Sequence, residues 1–209
     1  HKGSTSVDGA NSSIVERGVR DLDPVNTSGG TREKFINWLR NHPGNTDPDA
    51  TINYTTTGGT PLIEAVTGVG EYFKRSDNGG PWSDNPATLD AAAHKTCRRA
   101  YNMLITDGYY SNASPGVGNV DGVDGPTIDS VPTYTPAAPY KDSNSNTLAD
   151  VAMKYWSQDL RGATGTALAN KVSATAEDPA YWQHMTNYMI GLGVNGTLDP
   201  VTDWPKLVA

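Results

Sequence analysis

Apolar residues in this chain follow two patterns, helical spacing and short continuous runs. Helical spacing follows Thr31, Thr60 and Thr147, and each threonine is predicted to cap a helix. Two apolar runs, Ala100–Thr106 and Thr186–Val194, are too short for independent helices and are typical of buried strands. This order of helices and strands predicts an α/β layer with a mostly parallel sheet.

The three predicted helices each have an apolar face that should point into the core. The faces are Phe35, Trp38 and Leu39; Leu62, Ile63, Val66, Val69 and Phe73; and Leu148, Val151, Ala152, Tyr155 and Trp156. Pro61 suits the first helical position because it has no N–H to leave unpaired, and Asp150 resembles the partner of Thr147 in a capping box. Two shorter elements are also predicted, a strand over Ile14–Arg20 and a helix over Asp90–Arg99.

Polar, glycine-rich and proline-rich stretches set the predicted domain organisation. Residues 1–29 are rich in polar residues and glycine, and they predict a flexible lead-in with one short strand. Residues 30–198 form the predicted domain, and residues 199–209 form a tail. Within the domain, residues 109–146 are a long insertion, and loops of more than about 15 residues are usually functional or disordered.

Composition and charge exclude several classes of protein. The 16 basic and 23 acidic residues give a net charge of -7, which argues against nucleic acid as a partner. No apolar run approaches the roughly 18 residues of a membrane span. Hydrophobic residues make up only 36%, yet five Trp and ten Tyr indicate a folded core. The first 20 residues lack a secretory signal pattern, and the start at His1 predicts a processed product or a fragment.

The chain has one cysteine and no recognisable catalytic motif. For Cys97 a buried thiol is the favoured interpretation, and a bridge to a cysteine outside this segment is the alternative. For His184 the alternatives are catalysis and a loop-holding hydrogen bond, and the second is favoured because no partnered nucleophile is recognisable. Gly-x-Ser-x-Gly, phosphate-loop and His-Glu-x-x-His motifs are all missing, so the sequence predicts a protein that is not an enzyme.

Two motifs occupy positions that a parallel α/β layer brings to one edge. Residues 58–62 are Gly-Gly-Thr-Pro-Leu, and residues 104–108 are Leu-Ile-Thr-Asp-Gly. Thr60 begins a helix and Asp107 ends a strand, and sites form at the carboxyl ends of parallel strands. A hydroxyl, a carboxylate and an open position suit a hard cation such as Mg²⁺. Taken singly, Thr60 is explained by a helix cap and Asp107 by a turn.

Together the two motifs resemble the metal-ion-dependent adhesion site of the von Willebrand factor A-type (vWA) fold. The resemblance implies that Thr60 and Asp107 bind a divalent cation, Mg²⁺ or Ca²⁺, in the intact protein. The third part of that site, Asp-x-Ser-x-Ser after the first strand, is missing, because residues 8–13 carry Ala10 and Ser12 at the serine positions. The predicted fold is therefore vWA-like and Rossmann-type, a mostly parallel sheet flanked by helices, with long insertions and without its first strand.

A longer series of motifs resembles the vWA-type amino-terminal region of the type IV pilus tip-associated adhesins, the PilY/PilC-type proteins. The motifs occupy residues 35–39, 59–62, 70–73, 97–99, 106–109, 119–125, 147–153, 155–156, 159–161, 182–185 and 191–194. The resemblance implies an exported protein at the bacterial cell surface, at or near the pilus tip, that supports pilus assembly, attachment and twitching motility. The implied partners are minor pilins or other tip components, a host or abiotic surface ligand, and the β-propeller half of the same protein.

The insertion contains two further groups of candidate site residues. The first group offers side-chain oxygens that can wrap Ca²⁺, although Asp-Gly pairs also form turns, and the turn is favoured. Its members are Asn119, Asp121 and Asp124. The second group is aromatic, and it either packs the loop or forms a contact surface, since Tyr is enriched at interfaces. Its members are Tyr109, Tyr110, Tyr134 and Tyr140.

Three functions compete on these observations. The first is an adhesion or assembly module that binds partners through its loops. The second is a metal-dependent hydrolase that uses Asp107 and His184, and the third is a structural spacer of the pilus tip. The sequence favours the first, because the acid, base and nucleophile of an enzyme are not assembled.

Overall fold

A computed structural model shows three helices and six strands among the residues that it describes. Those residues are 5–12, 18–20, 27–40, 60–86, 88–106, 110, 114–162 and 167–192. The helices are α1 (Thr31–Arg40), α2 (Leu62–Phe73) and α3 (Leu148–Ser157). The strands are β1 (Thr5–Val7), β2 (Ala10–Ser12), β3 (Ala100–Thr106), β4 (Thr127–Ile128), β5 (Val131–Pro132) and β6 (Met185–Gly191). None of the described helices has the length and apolarity to cross a bilayer.

The centre of the fold is a parallel pair of seven-residue strands, β3 and β6. Ala100 pairs with Met185, and the register continues to Thr106 with Gly191. Both strands arise from the predicted apolar runs, so the mixed α/β class and the parallel pairing are confirmed. The prediction that both strands are buried is wrong, because alternate residues of β3 and the last four residues of β6 are exposed. The two other strand pairs in the described residues are antiparallel hairpins, β1–β2 and β4–β5. The vWA-like arrangement stays a prediction.

Helices α2 and α3 pack together on one face of the parallel pair and form the core. The core residues, all at most 9% exposed, are Leu62, Ile63, Val66, Leu148, Val151, Tyr155, Leu160 and Met185. The two helices approach closely at Gly70, where a Cβ atom would lie 2.4 Å from the Tyr155 ring. The Tyr155 hydroxyl donates to Glu71 Oε1 at 2.8 Å, and burial together with this carboxylate raises the pKa of Tyr155. The close packing of the two helices therefore requires a residue without a Cβ atom at position 70.

The starts of α2 and α3 differ in how well the sequence predicts them. At α3, Thr147 Oγ1 accepts from Asp150 N at 3.1 Å and Asp150 Oδ2 accepts from Thr147 N at 2.8 Å, which confirms the capping box. At α2, Pro61 rather than Thr60 is the N-cap, and no side chain caps the helix. The predicted Thr60 cap is wrong because the Pro61 carbonyl accepts the first helical bond, from Ala65 N at 2.9 Å.

The helix predicted over Asp90–Arg99 is absent, and those described residues are extended or bent. Backbone bonds across a loop replace it, since Asp84 N donates to Ala93 O and Lys95 N donates to Trp82 O, both at 2.7 Å. Trp82, 1% exposed, anchors this pairing. Tertiary pairing thus outweighs the helix propensity of the alanines at 91–93.

Helix α1 is confirmed, but its expected core contact is not. Phe35 is 53% exposed, so the prediction that it faces the core is wrong. The side chains of Trp38 and Leu39, the other members of the predicted stripe, lie outside the described residues.

A short hairpin that the sequence did not predict lies near the start of the chain. Strands β1 and β2 meet at Asp8 and Gly9, whose φ angles of 51° and 81° place both in the left-handed region. Arg75, which follows α2, donates to the carbonyl oxygens of Val7 at 2.9 Å and Asp8 at 2.5 Å. The hairpin is therefore fastened to the end of α2. Most of the strand predicted over Ile14–Arg20 lies outside the described residues.

Candidate partner-binding site

The insertion is fixed to the first turn of α3 by one buried carboxylate. Asp150 is 0% exposed. Its Oδ2 caps the helix at Thr147, and its Oδ1 accepts from Val120 N at 2.7 Å. A carboxylate accepts several hydrogen bonds at once, so this single group both starts α3 and holds the loop.

A second polar centre in the insertion surrounds Asp121, which is 2% exposed. Its backbone carbonyl accepts from the Tyr134 hydroxyl at 2.8 Å, and its Oδ1 accepts from Asp142 N at 3.4 Å. Burial raises the pKa of Asp121, and the neighbouring carboxylates of Asp142 and Asp150 also raise it. The loop therefore contains a carboxylate whose charge is poorly compensated.

The structure brings together two of the three predicted calcium-loop residues. Asn119 Nδ2 donates to Asp142 O at 3.1 Å beside Asp121, whereas Asp124 is exposed. The Asn119 amide lies directly over Gly122, where a Cβ atom would be 2.1 Å from Asn119 Oδ1, and this close approach supports the turn interpretation. Across the described ranges, no group of three His, Cys, Asp or Glu side chains is placed to hold a metal ion. The calcium loop stays a prediction.

The predicted adhesion-site residues fall at the margin of the described chain. Asp107 and Tyr109 lie outside the described residues. Thr60 is half-buried and directly precedes α2, where its carbonyl oxygen accepts from Leu62 N at 2.9 Å. A cation held by Thr60 and Asp107 therefore stays a prediction.

The tyrosines of the insertion separate into two kinds. Tyr110 and Tyr140 are exposed, at 41% and 64%. Tyr134 is only 9% exposed, so for this residue the contact-surface interpretation is wrong and the loop-packing interpretation is right. Its hydroxyl donates to Asp121 O and accepts from Ala137 N at 3.4 Å, which makes it a packing residue of the loop.

A cleft of about 300 Å³ opens between the insertion and α3. Val123 and Asp124 contribute to the loop wall, and Lys154, Ser157 and Gln158 form the helix wall. The volume is at the small end of the range for ligand pockets. Sequence reasoning missed this cleft because its walls come from segments about thirty residues apart.

His184 belongs to a buried polar cluster rather than to an open site. It is 3% exposed, with Nδ1 2.7 Å from Trp182 O and Nε2 3.0 Å from Asp178 Oδ2. Asp178 also accepts from Trp156 Nε1 and Thr186 Oγ1, both at 3.0 Å. Burial raises the pKa of Asp178, but these hydrogen bonds, chiefly that of His184, bring it below its ordinary value. The predicted loop-holding role of His184 is confirmed.

Cys97 is exposed, so the favoured interpretation of a buried thiol is wrong. A bridge to a cysteine outside this segment stays a prediction. The next residue, Arg98, turns inward instead and donates to the Ser83 carbonyl at 3.1 Å. Arg98 thus takes the inward position in this segment and leaves the smaller thiol at the surface.

Three known proteins that match this chain have the same name. Over 186 residues it is 36% identical to the type IV pilus biogenesis factor PilY1 of Pseudomonas aeruginosa strain PAK, covering 82% of this chain and 14% of that protein. The chain belongs to the PilY1-type family. PilY1 of strain PAO1 is 34% identical over 186 residues, and PilY1 of strain UCBPP-PA14 is 34% identical over 175 residues. No family model and no solved structure matches the chain.

The family suspected from the motifs is thus confirmed, and the chain spans 13 to 15% of the length of these PilY1 relatives. One PilY1-type motif, residues 182–185, has a structural explanation, since every member is at most 4% exposed. The Trp182 indole donates to Trp156 O at 2.9 Å. Gln183 Nε2 donates to Thr96 O at 2.7 Å and Ala169 O at 3.0 Å. These contacts tie α3, β6 and two loops together, so this motif holds the fold.

Proposed function

We propose that this chain is a partner-binding module of a PilY1-type surface protein that supports type IV pilus biogenesis. In the whole protein the module acts at the pilus tip, in surface attachment and twitching motility. Its partners are minor pilins or other tip components and a host or abiotic surface ligand. The identity of 36% over 186 residues to a type IV pilus biogenesis factor is the observation that carries the proposal.

The form of the insertion supports binding rather than catalysis. Asp150 and the contacts around Asp121 hold the loop in one conformation, which reduces the entropy lost when a partner binds. The loop exposes Val123 and Tyr140, at 56% and 64%, for contact. The hydrolase alternative would use His184, but the hydrogen bonds of both its ring nitrogens within the protein offer that role no support.

The proposal includes a vWA-like fold with a divalent cation bound by Thr60 and Asp107 in the whole protein. Three features support it: the parallel pairing of β3 and β6, the helix that follows Thr60, and the end of β3 at Thr106, directly before Asp107. The test is calorimetric titration of the full-length protein with Mg²⁺ and Ca²⁺. Asp107→Asn should weaken binding at least about tenfold, because it removes a charged oxygen ligand. Equal affinity in the variant would remove Asp107 from the site.

The partner-binding role is tested in the full-length protein in its own host. Val123→Ser with Lys154→Gln changes both walls of the cleft, and Val131→Ser is the matched control. Val131 is 62% exposed in the same insertion, and it does not line the cleft. We expect the cleft variant to reduce twitching and attachment while protein level stays unchanged. The control should behave as wild type.

This experiment and an assay for hydrolysis together distinguish the competing functions. Wild-type motility, attachment and pilus number in the cleft variant would support a structural spacer. An ester-hydrolysing or phosphoester-hydrolysing activity that Asp107→Ala and chelation both abolish would support the hydrolase instead.

A further inference from the structure

One face of the β3–β6 sheet is apolar and exposed in the described part of the chain. Tyr101, Met103 and Ile105 of β3 are 50%, 60% and 57% exposed. Tyr188 and Ile190 of β6 are 51% and 41% exposed. The register pairs Met103 with Tyr188 and Ile105 with Ile190, which places all five side chains on one side. We call these five residues the open face.

The other face of the same sheet is covered over most of its length. Ala100 and Met185 are 3% and 0% exposed, and Leu104 packs against the helical core. Only near the end of β6 is this face open, since Met189 is 57% exposed. Parallel strands occur almost only in sheets that are covered on both faces, and an isolated strand pair is marginally stable in water. A contiguous exposed apolar patch marks an interface. The open face is therefore one side of an interface.

We propose that, in the whole protein, the open face is covered by an amphipathic helix from the same polypeptide, outside these 209 residues. The composition of the face supports a permanent occupant, because its five residues and the neighbouring Thr186 carry no charge. Reversible interfaces are about as polar as the rest of a protein surface, whereas permanent ones are more apolar. The PilY1 relatives supply the necessary length, since this chain spans 13 to 15% of them.

The sheet edge indicates why the occupant should be a helix. Among the described residues β3 pairs with β6 alone, so its second edge has no strand partner there. A further parallel strand at this edge needs a crossover connection of about a dozen residues or more, usually a helix that lies on a face of the sheet. Since α2 and α3 occupy one face, the open face is the place for that helix.

Thiol labelling of the full-length protein tests this proposal. In a Cys97→Ser background, Met103→Cys places a thiol on the open face and Val131→Cys places one on the β4–β5 hairpin. The replaced side chains are 60% and 62% exposed in this structure, so they are closely matched. Labelling is quantified by peptide mass spectrometry relative to denatured protein. We expect the M103C thiol to react at least about tenfold more slowly, because labelling requires local opening of the covered face.

A photo-crosslinking residue at position 105 identifies the occupant. A cross-link to a segment of the same polypeptide outside the 209 residues, formed at every protein concentration, supports the proposal. Equal labelling of M103C and V131C would overturn it. Protection that appears only at high concentration would assign the face to a second copy, and protection only in assembled pili would assign it to another pilus protein. Both results would also overturn the proposal, and neither depends on the loop function proposed above.

Discussion

The core beneath the sheet and the insertion beside α3 are ordered by different interactions. In the core, Val66, Val151 and Met185 are at most 2% exposed and pack apolar side chains together. The insertion is instead ordered around two buried carboxylates, Asp121 within it and Asp150 in the first turn of α3. Apolar packing is non-directional, whereas buried hydrogen bonds fix geometry and are costly to leave unmade. The core should therefore respond to changes of volume, and the insertion to changes of single polar atoms.

The largest effect is expected in the core, from Gly70→Ala. The added Cβ would lie 2.4 Å from the Tyr155 ring, and a buried ring and a helix backbone have little room to separate. We expect the free energy of unfolding to fall by about 3 kcal/mol, although alanine is the better helix former by about 1 kcal/mol. Urea unfolding followed by tryptophan fluorescence measures this change. In a Tyr155→Ala background the penalty should vanish, and a penalty that persisted there would contradict the proposed clash.

The next effect is expected in the insertion, from Asp150→Ala. The variant removes the cap of α3 and leaves the Val120 N–H without its acceptor. We expect a loss of about 2 kcal/mol and rapid proteolytic cleavage within residues 114–146. Asp142→Ala is the control, because Asp142 is exposed and, among the described residues, its side chain accepts only from Asn144 N, at 2.6 Å. Equal protease resistance in the two variants would show that Asp150 does not hold the loop.

A smaller effect is expected from Tyr134→Phe, which deletes one oxygen and keeps the ring. The Asp121 carbonyl then loses its hydrogen bond from the Tyr134 hydroxyl. The expected loss is about 1 kcal/mol, measured by thermal unfolding. Tyr140→Phe, at a position 64% exposed, should change nothing. If the two variants had equal stability, the loop would not depend on this buried hydroxyl.

The smallest effect is expected in the pH dependence of folding stability, to which Asp178 and Asp121 contribute in opposite directions. The folded pKa of Asp178 is lowered, so its contribution to stability is present above the unfolded pKa of about 4 and is lost as pH falls through the folded value. The folded pKa of Asp121 is raised by burial, so its charge costs stability above that folded value, and acid relieves the cost. Asp178→Asn should therefore weaken the acid-induced loss of stability. Asp121→Asn should raise stability near neutral pH.

Unfolding free energies measured from about pH 7 down to about pH 3 check both signs. Asp124→Asn is the control for Asp121, because Asp124 is exposed in the same loop. A rise in stability for Asp124→Asn as large as that for Asp121→Asn would attribute the effect to the net charge of -7 rather than to burial.

Local signals predicted the regular elements well. The capping box at Thr147 and Asp150 acts within one helical turn, so the sequence alone reveals it. The run Ala100–Thr106 forms the strand that its apolar residues predict, although alternate residues of the run are exposed. The segment Asp90–Arg99 does not form the helix that its sequence predicts, because backbone bonds from residues 82–84 hold it extended. Local propensity does not predict which distant segments pair.

The candidate site was less predictable for the same reason. The three oxygens of the suggested calcium loop looked alike in sequence, yet Asp121 is buried and Asp124 is exposed. Burial decided between them, and it depends on Tyr134 and on the segment around Asp142. The second role of Asp150, toward Val120, joins residues thirty positions apart and has no local signal.

The shared carboxylate of Asp150 has a consequence for protein engineering. A loop shortened so that this backbone is displaced, or a transplanted loop with proline at position 120, would lack the backbone N–H that Asp150 Oδ1 accepts from. The helix would then begin with a desolvated charge facing an empty position. Chimeras between family members should therefore exchange residues 114–157 as one segment, because Asp150 hydrogen-bonds both to the loop and to the start of the helix that follows it.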